Sequence, residues 1–159
     1  MSPKPTQRRD RRMMGRALAL AGLNQGLTGA NPSVGCVILD ARGYIVGDGV
    51  TGHGGRPHAE EVALEEAGAR ALGGTAYVTL EPCRERSSGA PSCAERLAAA
   101  GLDRIVCAIR DPHPLGSGGL HRFRSNGTAI LVGIGERRAR GLYRSFFASV
   151  PAARATPSK

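Results

Sequence analysis

The sequence predicts a layered α/β domain built on one mixed sheet of five strands. Three observations carry this. Five short apolar runs of strand composition are spread along the chain, helical periodicities of apolar residues separate most of them, and only the first two runs are close enough in sequence to form a hairpin. At 159 residues the chain matches the commonest single-domain size. One domain over 10–149 is expected, with a basic segment 1–9 and a tail 150–159 (VPAARATPSK) expected to be mobile.

The elements follow in order. Between Asp10 and Gln25, Met14, Ala17, Leu18 and Ala21 fall at the i, i+3, i+4, i+7 spacing of one buried helical face. Strand runs Val34–Leu39 and Tyr44–Val50 are separated by Asp40-Ala41-Arg42-Gly43, whose glycine suits a hairpin turn. Pro57 leads into HAEEVALEEAGARALG, a second helix with acids in its first turns, where they complement the helix dipole, and with Val62, Leu64, Ala67 and Ala71 able to face a core. Thr75–Leu80 reads as a buried strand and Cys93–Ala100 as a short helix ended by Gly101. Arg104–Ile109 and Thr128–Val132 are the last two strands, with a loop between them. Gly135–Ala148 is a closing helix whose apolar side carries Leu142, Phe146 and Phe147. Strands joined through helices should be parallel, so the first pair supplies the only hairpin.

Composition narrows the function classes. No apolar run approaches the roughly 20 residues that span a bilayer, so no membrane partner is expected. MSPKPTQRRDRR lacks the apolar core of a secretory signal, which points to a cytoplasmic, reducing location. There the four cysteines, Cys36, Cys83, Cys93 and Cys107, are thiolates or core residues rather than a disulfide framework. The net charge of +9 includes basic clusters at Lys4, Arg8, Arg9, Arg11, Arg12 and at Arg137, Arg138, Arg140, Arg144. Such a balance favours an anionic partner, a phosphorylated metabolite or nucleic acid, or else marks solvated faces. With three Phe, three Tyr and no Trp to stack on bases, nucleic acid is the less favoured.

His58-Ala59-Glu60 opens a helix and Glu81-Pro82-Cys83 follows a strand, positions where open α/β sheets build their sites. One imidazole and two thiolates, His58, Cys83 and Cys93, suit a single zinc ion that keeps a fourth position for water. Zinc lowers the pKa of that water to about 7 and so makes hydroxide available at neutral pH. Glu60 suits the remaining task, carrying a proton from the attacking water to a ring nitrogen and then to the departing amine. Residues two apart on a helix point roughly 200° apart, so His58 and Glu60 converge only if His58 sits at the irregular helix entry. The combination matches the H-x-E and P-C signature of zinc deaminases, except that the second cysteine closes after nine residues instead of two. Cys36 and Cys107 lie inside apolar runs, where packing accounts for them. His53, His113 and His121 lie in polar loops or short segments, where exposed imidazoles are the default.

The segments ALALAGLNQGLTGANPSVGCVI, GGRPHAEEVAL, GGTAYVTLEPC, AAGLDRIVCAIRDPHP and SFF resemble one branch of the cytidine-deaminase-like superfamily, the pyrimidine deaminase domain of the bacterial bifunctional riboflavin biosynthesis enzyme. The long interval between the cysteines also belongs to that branch. The resemblance implies a three-layer α/β/α fold and hydrolysis at C2 of 2,5-diamino-6-(ribosylamino)-4(3H)-pyrimidinone 5'-phosphate with release of ammonia. It implies His58, Cys83 and Cys93 as ligands of one catalytic zinc and Glu60 as proton shuttle. Asn31 of the N-P-x-V-G turn and Asp111 of the D-P-x-P loop are implied as substrate contacts, and a homo-oligomer as the assembly. The chain stops where the reductase domain of the bifunctional enzymes begins, so no reductase chemistry is expected.

Two departures fall on the substrate side. Between the cysteines, Arg84-Glu85-Arg86-Ser87-Ser88-Gly89-Ala90-Pro91-Ser92 replaces a family segment like S-H-x-G-[KR]-T-P-P and lacks its histidine, leaving Arg84 or Arg86 as a substitute basic contact. The D-P-x-P loop continues as LGSGGL rather than V-x-G-x-G. The alternatives are a deaminase of another nucleobase, nucleoside or RNA base, which in the RNA case would bind with steep salt dependence, and a non-catalytic zinc module. The retained Glu60 argues against the last, because a structural zinc needs a fourth ligand and not a proton shuttle.

Overall fold

A computed structural model describes residues 5–150. Six helices, α1 (Pro5–Leu23), α2 (Ala59–Ala67), α3 (Cys93–Ala99), α4 (His121–Arg124), α5 (Glu136–Leu142) and α6 (Arg144–Ser149), accompany five strands, β1 (Gly35–Leu39), β2 (Ile45–Val50), β3 (Thr75–Val78), β4 (Arg104–Cys107) and β5 (Ala129–Val132). The strands form one mixed sheet in the order β2-β1-β3-β4-β5. β1 runs antiparallel to both β2 and β3, whereas β3, β4 and β5 are parallel. The helix-linked strands β2 and β3 are thus parallel, as expected, but β1 is inserted between them. All five strands are where the sequence places them, each beginning or ending within two residues.

The sheet is covered on both faces. Along β1, Gly35 and Val37 pair with Val50 and Asp48 and face α1, whose Arg16 reaches Asp48 at 2.6 Å. Cys36 and Ile38 pair with Gly49 and Gly47 and face α2. These two glycines set the depth of α2. A Cβ at Gly47 would collide with the Ala63 carbonyl, and one at Gly49 would lie 2.5 Å from the Ala59 carbonyl oxygen. The helix answers with a stripe of small buried residues, Ala59, Ala63 and Ala67. Val62 and Leu64, expected in the core, are only half buried, because against a glycine surface alanine spacing wins the contact.

Other differences have local causes. α1 starts at Pro5, five residues before the expected Asp10, so residues 5–9 of the segment expected to be mobile are helical. Proline is favoured in a first helical turn, and the arginines that follow are good helix formers with Arg8, Arg11 and Arg12 exposed. Residues 1–4, and the expected mobile tail beyond Val150, lie outside the described residues. Asp10 is 1% exposed and bridges layers, accepting from Tyr77 Oη at 2.7 Å and from Arg104 Nη1 and Nη2 at 2.7 and 2.6 Å. The second helix stops at Ala67 because Gly68 takes φ 54, and a 3-10 turn (Gly68–Ala71) continues it. The segment between β4 and β5, read as a loop, contains α4, which buries Phe123 completely. The closing helix is divided at Tyr143, whose ring is drawn into the core. Among the described residues no helix is long and apolar enough to cross a membrane.

Candidate metal centre and its pocket

His58 is the N-cap of α2, with extended backbone angles of φ −73 and ψ 154. This is the irregular entry that convergence with Glu60 requires. Because His58 lies outside the helix and Glu60 inside its first turn, both side chains line one pocket of about 270 Å³. The entry is locked by Glu61, whose Oε2 accepts the His58 backbone N–H at 2.7 Å, as the carboxylate at the third position of a capping box does.

Cys93 is the first residue of α3, behind the N-cap Ser92, whose hydroxyl accepts the Glu95 N–H at 3.1 Å. The Cys93 N–H donates to Cys83 Sγ at 3.2 Å, and the Ala94 N–H to the Cys83 carbonyl at 3.2 Å, so the start of α3 seats the turn after β3. His58 Nδ1 is 3.1 Å from Cys93 Sγ. The donor atoms of His58, Cys83 and Cys93 all lie within 4.8 Å of one another, the single His/Cys/Asp/Glu group of this kind among the described residues. Tetrahedral ligands at zinc distances sit roughly 3.3–3.8 Å apart. One imidazole and two sulfurs in this span therefore fit a zinc ion after small shifts. Cys83 and His58 border the pocket, while Cys93 is completely buried behind them.

The electrostatics set these groups apart from ordinary surface residues. Burial is the largest influence on Glu60, which is 4% exposed, and raises its carboxyl to about 7 against the pull of its own backbone N–H and of His58. The two sulfurs titrate as a pair. The hydrogen bond with Cys93 drives the Cys83 thiol down to about 4 against burial, and the same bond together with burial drives Cys93 up. Cys36 and Cys107, also raised by burial, stand apart from this group in β1 and β4.

Asn31 and Asp111 border the same pocket. Asn31 Nδ2 donates to the Gly55 carbonyl at 3.2 Å, and Asp111 Oδ1 accepts the His113 N–H at 2.8 Å. Burial raises the Asp111 carboxyl. All six site residues singled out in the sequence thus meet in one place. Others were not anticipated. Glu81, its side chain 1% exposed, accepts the N–H groups of Asp111 and Leu120 at 3.1 and 3.3 Å and so ties the loop after β4 to the cysteine turn. His113 accepts the Leu115 N–H on Nδ1 at 3.2 Å, which puts its proton on Nε2. Its ring is stacked with Phe146 at 6.4 Å, and both rings form a wall of the pocket. His53 and His121 are exposed, as expected, and lie outside the group.

Residues 7–109 match the family model for the cytidine and deoxycytidylate deaminase zinc-binding region. The riboflavin biosynthesis protein RibD of Aquifex aeolicus is 43% identical over 139 residues, which are 87% of this chain but 38% of that protein. A diaminohydroxyphosphoribosylamino-pyrimidine deaminase of Buchnera aphidicola is 39% identical over 135 residues, 84% of this chain and 90% of that protein. Among solved structures, RibD of Acinetobacter baumannii superposes with a TM-score of 0.82 at 38% identity, over 92% of this chain and 41% of that one. The chain therefore spans about two fifths of the length of the RibD proteins and nearly all of the Buchnera deaminase.

Proposed function

Since the chain belongs to the zinc-binding cytidine and deoxycytidylate deaminase family, we propose that it is the deaminase of riboflavin biosynthesis, hydrolysing the amino group of a phosphorylated ribosylaminopyrimidine. The observation that carries the reading is the cluster of three zinc-type donors, His58, Cys83 and Cys93, beside a pocket that the buried Glu60 also borders. Bound there, zinc supplies the Lewis acidity that makes water a nucleophile at neutral pH.

The remaining work falls to the chain. The reaction exchanges C–NH2 for C=O, consuming water and releasing ammonia, so protons must move from the water to the ring nitrogen and to the departing amine. Burial raises the Glu60 carboxyl above its usual range, and a carboxyl so placed can both accept and return a proton, which is the property a shuttle needs. His58 and the two cysteines would hold the metal, each fixed by a backbone contact at a helix start. Asn31 and Asp111, far apart in sequence but both bordering the pocket, would orient the pyrimidine. His113 offers its Nε2–H from the same wall, and Phe146 an apolar face for the ring.

The test is ammonia release from the ribosylaminopyrimidine phosphate by protein of measured zinc content. Glu60→Gln keeps the shape of the side chain and removes its proton transfer, so kcat should fall by about 10²–10⁴ with zinc content unchanged. A zinc-loaded, folded preparation without turnover of that substrate would reject the assignment.

A further inference from the structure

The nine residues between Cys83 and Cys93 include two arginines, and the fold treats them in opposite ways. Arg84 is exposed, donating to the Pro114 carbonyl at 3.1 Å and lying 3.9 Å from Glu85. Arg86 is turned inward, its side chain 5% exposed. Its Nη2 lies 3.0 Å from Glu61 Oε2 and donates to Cys93 Sγ at 3.6 Å. The Glu61 carboxylate in turn accepts the His58 backbone N–H at 2.7 Å and is shared with Arg96 at 3.6 Å. One guanidinium and one carboxylate thus connect the segments that carry His58 and Cys93.

A guanidinium stays charged wherever it is placed, so burying one is costly unless an anion faces it. Glu61 is that anion, its Oε2 lying 3.0 Å from Arg86 Nη2. Arg86 Nε is nevertheless buried without a hydrogen-bond partner. A solvated loop arginine would not accept that cost. The two sulfurs are supported from different directions: Cys83 by the Cys93 backbone N–H at 3.2 Å, Cys93 by the cationic side chain. Hydrogen bonds from charged donors to sulfur ligands are strong, and such outer partners orient a ligand and tune the metal it holds.

We infer that Arg86 is a positioning residue of the metal centre, placing positive charge against the Cys93 sulfur and, through Glu61, fixing the His58 entry to α2. Because Arg86 also borders the pocket, metal affinity and spectrum read without substrate separate this role from that of a substitute substrate contact. The inference rests on the metal site of the proposed function and is independent of its substrate.

The test uses the full chain loaded with zinc or cobalt(II), with Arg86→Gln, Arg86→Lys and Glu61→Gln as variants. Metal affinity is read by chelator competition, and the sulfur-to-cobalt charge-transfer band by absorption, both without substrate. Arg86→Gln should weaken metal binding by about 10- to 100-fold, the range for outer-shell partners. It should also move the charge-transfer band to lower energy, because a sulfur without a facing cation gives up an electron more readily. Arg86→Lys should restore much of both. Glu61→Gln, which keeps an oxygen acceptor for the His58 N–H but releases Arg86, should weaken binding less than Arg86→Gln. In the activity assay kcat should fall while KM stays near its original value. Unchanged metal affinity and an unchanged cobalt spectrum in Glu61→Gln and in whichever Arg86 variants fold would overturn the inference, and a rise in KM alone would identify Arg86 as a substrate contact instead. Absence of turnover of the pyrimidine would reject the proposed substrate while leaving both metal readouts interpretable.

Discussion

Replacing Tyr143 by Phe should lower stability and loosen the pocket together, and the reason lies in a single chain of buried hydrogen bonds. The Tyr143 hydroxyl donates to the Ser33 carbonyl at 2.9 Å, so its one proton is committed there. The 2.6 Å contact with Thr79 Oγ1 must then be a donation from Thr79, which itself accepts the Gly35 N–H at 3.0 Å. The order is Gly35 N–H to Thr79 to Tyr143 to Ser33, and Thr79, Tyr143 and Ser33 are all buried. Tyr143→Phe keeps the ring and deletes the middle oxygen, stranding the Thr79 hydroxyl proton and the Ser33 carbonyl. Each stranded buried group costs about 1–3 kcal/mol, and Thr79 still accepts from Gly35, so a total of about 2–4 kcal/mol is expected. For a domain of this size that corresponds to a fall in Tm of roughly 4–16 °C. Ser33 follows Asn31 and Pro32, which border the pocket, so KM should rise as well. Thermal unfolding followed by circular dichroism, with steady-state kinetics beside it, reads both effects. A Tm within 1 °C of the parent together with an unchanged KM would refute the chain of bonds as drawn.

Asp10→Asn should cost about 3 kcal/mol at pH 7, the lower end for breaking a buried pair, since Arg104 is partly exposed and can regain water. Burial alone would raise the Asp10 carboxyl, but Arg104 and the Tyr77 hydroxyl outweigh it and hold the group below its usual range. The folded pKa being depressed, the stabilisation is complete above the unfolded value of about 3.9 and is lost as pH falls through the folded value. Urea unfolding from pH 7 to pH 3 should therefore show the gap between parent and variant closing below about pH 4, and a constant gap would count against the pair. Gly49→Ala puts a Cβ 2.5 Å from the Ala59 carbonyl oxygen and 2.7 Å from Val62 Cβ, so it should lift α2 at a cost of about 1–3 kcal/mol. Because that helix start carries His58 and Glu60, kcat should fall along with stability, and an unaltered kcat would show that the depth of α2 does not govern the site.

The strands and the two helices that open and follow the hairpin were readable because their signals are local: apolar runs, alternation, a turn glycine, a proline before a helix. The convergence of His58, Cys83, Cys93 and Glu60 was legible for a similar reason, since few other roles need that spacing of histidine, glutamate and cysteine, and the comparison with known deaminases supports the family that spacing suggests. The division of the last helix at Tyr143 has no local signal. A tyrosine at that point continues the apolar side of a helix as well as it turns inward, and what draws it in are partners 64 and 110 residues away. The small-residue face of α2 was misread likewise, because Val62 outranks Ala63 in hydrophobicity until Gly47 and Gly49 are known to lie beneath.

By itself, then, the chain determined which residues are candidates for the chemistry and in which kind of element each sits, because composition and spacing act over a few residues. Tertiary structure alone decided where the loop between the cysteines sends its arginines. Arg84 and Arg86 are two residues apart and chemically identical, yet one meets solvent and the other meets Glu61 and the Cys93 sulfur. A side chain that keeps its charge goes where a facing anion offsets the loss of water, and that anion is brought there by packing α2 and α3 side by side.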